Sequence, residues 1–126
     1  MKILRNSLFV FFTIVLLQSA SINTLDASKV VETTIGKFSD SSFSIKNMSS
    51  ISESGIDLFY IFNLQPKGFV IVSSDNRSAP LLGYSFENNF KLENAPSNIN
   101  WLIDNYKKQI LNLINTDLVQ EQNIRL

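Results

Sequence analysis

Two aromatic and β-branched runs separated by one short turn constrain this chain more than any other feature. Leu58-Phe59-Tyr60-Ile61-Phe62-Asn63-Leu64 and Phe69-Val70-Ile71-Val72 flank Gln65-Pro66-Lys67-Gly68. Branched and ring side chains favour the pleated backbone, where they escape the χ1 crowding of a helix. Pro66 suits the second position of a turn, and Gly68 suits a residue that must take a positive φ. The segment therefore predicts a β-hairpin. Its runs are apolar at successive positions, so the sheet must be covered on at least part of its second face.

Two helical patterns can supply that cover. Residues 27–38 place Val30, Val31, Thr34, Ile35 and Phe38 at spacings of three and four, with Asp26 or Ser28 as cap. Further on, Ile99, Leu102, Ile103, Tyr106, Ile110, Leu113 and Ile114 share one face over about four turns. Ser97 or Asn98 can cap that helix, and Lys107 and Lys108 suit its later part. Phe43 and Ile45 alternate with Ser44 and Lys46, a weak edge-strand pattern. Residues 47–55 are rich in Ser and Asn and read as a surface loop. Residues 73–80 read as a polar connection, and Leu81-Leu82-Gly83-Tyr84-Ser85 as a third strand. Gly83 there permits a close backbone approach or a bulge. Glu87-Asn88-Asn89 can turn the chain into a short strand around Phe90, and a loop leads on to the longer helix. The expectation is an α+β fold, a small antiparallel β-sheet packed by an N-terminal helix and a longer C-terminal helix.

The first residues belong to a different device. Lys2 and Arg5 precede an apolar stretch at 8–17, and Gln18-Ser19-Ala20-Ser21 follows with small residues. This order reads as a secretory signal peptide over 1–21. The alternative, a membrane anchor, needs roughly 20 apolar residues where about 10 are present. Cleavage between 21 and 27 is expected, because Ser19-x-Ser21 and Leu25-x-Ala27 both end on small residues. A lipid anchor on Cys is excluded, since the chain has none. Residues 28–115 would then form one exported domain and 116–126 a polar, fraying tail. The product is expected to be secreted or periplasmic, off the membrane after cleavage, and a monomer when free. Removing 1–21 leaves 105 of the 126 residues, with 9 basic against 11 acidic side chains. A chain of this size buries roughly 65% of its unfolded surface, enough for a core without disulfides. The absence of Cys suits bacterial export.

Composition excludes most chemistry. With no His and no Cys there is no imidazole base, no thiol nucleophile and no common zinc site. Lys+Arg and Asp+Glu balance at 11 each, against the basic excess usual in nucleic-acid binders. The acids from Glu32 to Asp117 are scattered through polar stretches, unlike the facing pair of a glycosidase. No Ser-x-x-Lys opens a helix, and Ser44-Ile45-Lys46 has only strand spacing. Gly36, Gly55, Gly68 and Gly83 lie too far apart to cradle phosphate. The expectation is a protein that is not an enzyme and carries neither cofactor nor metal. Trp101 sits one position off the apolar helix face, where it either caps the core or frames a contact surface.

Gly68-Phe69-Val70-Ile71-Val72-Ser73-Ser74-Asp75, followed by Arg77-Ser78 and Leu82-Gly83-Tyr84-Ser85, closely resembles the prodomain of streptopain-family cysteine proteases. The same unit occurs as the stand-alone Spi type of protease inhibitor. Trp101-Leu102, Tyr106 and Gln109-Ile110 resemble its closing helix. The resemblance implies an inhibitor of a papain-like Cys-His protease, with the loop before the last helix set against the active-site region to displace the catalytic histidine. Here that loop is residues 92–98, and the contact residues implied are Asn94, Pro96, Ser97 and Asn98, with Trp101 flanking. Asn98 matches the family's intruding Asn when the closing helices are aligned, and is equally placed to cap the helix. Asn94 is the second candidate, because the loop is one residue longer here and carries Pro96. Gly68, Phe69, Asp75, Arg77, Gly83 and Tyr84 fit the family motif as structural residues. The protease half of such a precursor, with its Cys and His, is not in this sequence. Three readings stay open: an exported inhibitor of a separate streptopain-like protease, a truncated propeptide, and a non-inhibitory secreted binding module.

Overall fold

The computed structural model describes residues 21–125. Apart from Ser21, the expected signal peptide lies outside the described residues. Helix α1 (Thr24–Phe38) is followed by strands β1 (Ser44–Glu53), β2 (Ile56–Gln65), β3 (Phe69–Ser73) and β4 (Leu81–Ser85), then helix α2 (Ser97–Arg125). The strands form one antiparallel sheet in the order β1-β2-β3-β4. The expected α+β architecture is the one found.

The doubly apolar hairpin explains the layering. Side chains alternate across a strand, so successive apolar residues feed both faces. Tyr60, Phe62, Leu64, Val70 and Val72 pack with Ala27 and Val31 of α1. Phe59, Ile61 and Ile71, out of phase with them, pack with Ile103 and Ile110 of α2 and with Phe90. Leu58 joins this second cluster despite its even number, because the β1–β2 register shifts there, from Ile51↔Phe59 to Ser52↔Asp57. A bulge of this kind resets the alternation. Each fully buried aliphatic side chain contributes about 1.5–3 kcal/mol relative to exposure.

Helix α1 starts earlier than its apolar spacing indicates. Its cap is Asn23, whose Oδ1 accepts the Asp26 N–H at 2.8 Å, in place of Asp26 or Ser28. Its buried stripe is Ala27, Val31 and Thr34, while Phe38 is 53% exposed. Thr34 Oγ1 donates to the Val30 carbonyl at 2.7 Å, which satisfies a buried hydroxyl within the helix.

The largest departure is β1. Residues 47–53 form a strand where composition indicates a loop. Its neighbour dictates this: β2 offers a full ladder, and Ser54 (φ 52°) and Gly55 (φ 78°) make a two-residue turn with both φ positive. Cross-strand side-chain bonds tie the polar strand down, with Asn63 Nδ2 donating to Asn47 Oδ1 at 2.8 Å and Gln65 Nε2 donating to Ser44 Oγ at 2.9 Å. A polar edge strand also discourages pairing with a second chain.

The other end of the sheet follows expectation more closely. Gly68 takes φ 100°, and the Gln65–Pro66 peptide is cis. Strand β4 bulges at Leu82, between the pairs Ile71↔Gly83 and Val72↔Leu81. No strand forms at Phe90, whose ring is nonetheless buried. Helix α2 begins with the Pro96 carbonyl accepting the Ile99 and Asn100 N–H groups, so neither Ser97 nor Asn98 caps it. It continues through the expected tail to Arg125, and Leu111 joins its packed face.

Candidate functional site

Residues 92–96 lie within the connection between β4 and α2, whereas Ser97 and Asn98, expected in the loop, form the first residues of α2; the segment is held from both ends. On the entry side, Asn89 Oδ1 accepts the Gly68 N–H at 3.0 Å, and the Phe90 ring meets Phe69 edge-on with centroids 5.1 Å apart. On the exit side, Ile99 packs into the α2 cluster and Asn100 Nδ2 donates to the Ala95 carbonyl at 3.2 Å. Between these supports Asn94 adopts φ 54°, a left-handed conformation that Asn tolerates better than most residues.

Asn94, Pro96, Ser97 and Asn98 are all exposed. No intramolecular hydrogen bond engages the side chain of Asn94 or Asn98 among the described residues. Trp101 is 68% exposed on the first turns of α2, so it does not cap the core, and Leu92 is 44% exposed. Asn94, Pro96 and Asn98 border a groove of about 490 Å³ with Phe69, Phe90 and Ile99. Ser97 and Trp101 stand outside its lining. The surface thus combines free amides with exposed apolar groups on a fixed base.

The remaining motif residues are distributed through the sheet. Gly68 and Phe69 underlie the loop entrance, as described. Gly83 faces helix α2, where a Cβ would lie 3.4 Å from the Tyr106 hydroxyl, which itself donates to the Leu82 carbonyl at 2.6 Å. Tyr84 turns to the α1 side and stacks on Phe38 at 5.1 Å. Burial raises the pKa of the Tyr60 and Tyr106 phenols above the ordinary value.

Asp75 and Arg77 form a bidentate pair behind β3. Asp75 Oδ1 accepts the Arg77 backbone N–H at 2.9 Å and Nε at 2.7 Å, and Oδ2 accepts from Nη2. Burial pushes the Asp75 carboxyl up, but the Arg77 hydrogen bonds and charge together pull it below the ordinary carboxylate value. Ser73 and Ser74, read from sequence as a polar connection, are buried with it. Ser74 Oγ donates to the Asp57 carbonyl, and Ser73 Oγ donates to the Asp75 carbonyl at 3.1 Å. The described residues contain no cluster of metal-ligating side chains and no helix long and apolar enough to cross a membrane.

Sequence reasoning missed Asn89 and Phe90 as parts of this surface, and placed Leu92 in the loop without making it a contact residue. For Leu92 a signal exists, since it is an isolated apolar residue in a polar segment. Asn89 has none, because its partner is 21 residues away.

Comparison with known proteins bears on this geometry. The family described as Spi protease inhibitor matches residues 19–110. Streptopain from Streptococcus pyogenes is 43% identical over 51 residues, which is 40% of this chain and 13% of streptopain. The thiol protease/hemagglutinin PrtT of Porphyromonas gingivalis is 33% identical over 55 residues, 43% of this chain and 6% of PrtT. The matched segments thus cover only a small part of these relatives. No solved structure matches the chain.

Proposed function

The chain belongs to the Spi protease inhibitor family, and from that premise we propose that it is an exported inhibitor of a streptopain-like, papain-fold cysteine protease, acting through the loop before α2. A protease-inhibitor or prodomain role follows from the family and from the relatives' names. The finer reading rests on one observation: Asn94, in a loop held at both ends, and Asn98, on the first turn of α2, present free amide side chains, with Leu92 and Trp101 also exposed.

Chemistry favours such a surface as a cleft plug. An Asn amide both donates and accepts hydrogen bonds, and enters a desolvated cleft without carrying charge. An amide beside the protease's imidazole can therefore engage it in either protonation state. Exposed Trp and Leu supply the apolar area that anchors typically provide. A loop already held in shape loses less entropy on docking. Asn98 is the residue assigned to the intruding position, with Asn94 beside the same groove.

Titrating a streptopain-like protease with the chain, read with a fluorogenic peptide, tests this. The expected result is stoichiometric loss of activity that substrate competes away, and a weaker loss for Asn98→Asp with the fold unchanged. Full activity at large molar excess would overturn the proposal.

A further inference from the structure

We propose that Asn89 and Phe90 are positioning residues that clamp the contact loop to the β2–β3 turn and so preset its inhibitory shape. This inference deepens the function proposed above and rests on it for the inhibitory readout. Consecutive residues clamp to consecutive residues: Asn89 Oδ1 takes the Gly68 N–H at 3.0 Å, and Phe90, only 8% exposed, sits edge-on to Phe69. The receiving turn is itself immobilised. Gly68 holds φ 100°, and a Cβ on it would collide with the Ser85 carbonyl oxygen and lie 3.0 Å from Phe86 Cα. The turn backbone thus lies against the end of β4, immediately before the loop departs. Past the clamp, only residues 91–94 run free before Asn100 Nδ2 holds the Ala95 carbonyl and the Pro96 carbonyl opens α2.

The consequence is entropic. Phe86 packs on Phe43 and Tyr84, and the Glu87 and Asn88 N–H groups donate to Ser85 Oγ. Cutting the entry clamp therefore releases the chain from Asn89 onward and lengthens the unsupported segment from 91–94 to 89–94. Each added residue that docking must then order opposes binding. The Gly68 N–H is buried, so its acceptor also matters to the turn. An Asp at position 89 keeps an oxygen acceptor in the same place, while an Ala removes it.

Asn89→Ala and Asn89→Asp in the full chain provide the test, read by inhibition of a streptopain-like protease and by backbone amide NMR order parameters. Asn89→Ala is expected to weaken inhibition about tenfold, close to 1.4 kcal/mol, chiefly through slower association. Order parameters should fall at residues 91–94 and stay unchanged in α1 and in the β2 and β3 core. Asn89→Asp should restore both readouts. Parental order parameters at 91–94 in Asn89→Ala would overturn the clamp, whatever the inhibition shows. So would parental inhibition by Asn89→Ala, or a loss matched by its unfolded fraction alone. If the parent chain does not inhibit, the function proposed above fails separately, and the order parameters still decide the clamp.

Discussion

Replacing Asp75 by Asn probes the polar end of β3 without changing its shape. Asp75 is 5% exposed, and its carboxylate accepts the Arg77 backbone N–H, Nε and Nη2. An Asn can keep Oδ1 against the backbone N–H and Nε, but it presents an NH₂ donor to Nη2. One charge-assisted bond, about 1.5–3 kcal/mol, is lost. The guanidinium also loses this counter-charge. Breaking a fully buried pair costs about 3–5 kcal/mol. Because the Arg77 side chain is 23% exposed, water offsets part of that. We expect Asp75→Asn to destabilise the domain by about 2–3 kcal/mol at neutral pH, lowering Tm by roughly 10–20 °C. The assay is urea denaturation across pH. Arg77 lowers the folded-state pKa of Asp75. Its contribution is therefore present above the unfolded-state pKa and is lost as pH falls through the lowered folded value. The gap between parent and variant should close in acid. A loss below about 0.5 kcal/mol at neutral pH, or a gap that persists after the carboxyls are protonated, would refute the reasoning.

Three further outcomes are expected. Ile110→Ala, which empties a fully buried site between α2 and the sheet, should cost about 2–5 kcal/mol by urea denaturation. Trp101→Ala should change stability by no more than about 0.5 kcal/mol, since its ring is exposed, yet weaken inhibition roughly tenfold. If the chain is exported as proposed, mass spectrometry of the product should find its N-terminus at or before Ile22. The Ile22 N–H donates to the Ser74 carbonyl at 2.7 Å, its carbonyl accepts from the Tyr60 hydroxyl at 3.0 Å, and Asn23 caps α1. Cutting after Ala27 would remove all of these, so recovery of a stable chain beginning at Ser28 would contradict the assignment.

What the sequence revealed depended on how local the cause is. The β2–β3 hairpin was legible because its aromatic runs and Gly68 state both the strand and the turn. Strand β1 was not, because Ser49, Ser50 and Ser52 carry no strand preference and take their conformation from pairing with β2. A narrower signal was present in Ser54-Gly55, a turn pair beside Ile51 and Ile56, but the surrounding Ser residues mask it. The start of α1 was placed late because the exposed Leu25 breaks the apolar periodicity just after the Asn23 cap. At the candidate site, the loop could be read from its Pro96 and polar residues, and its role came from resemblance. The support beneath it could not be read, since Asn89 to Gly68 is a contact made only by folding. Phe90 illustrates the same limit, as a buried ring in a segment without secondary structure.

The central claim is that the loop before α2 and the first turn of that helix, residues 92–98, occupy the active-site cleft of a cysteine protease. Alkylation of the protease's catalytic thiol by iodoacetamide, followed as the chain is added, tests it most directly. The account predicts that alkylation slows in proportion to added chain, stops near one chain per protease, and resumes largely with Asn98→Asp. A thiol that alkylates at its free rate while the chain is bound at saturation would contradict it.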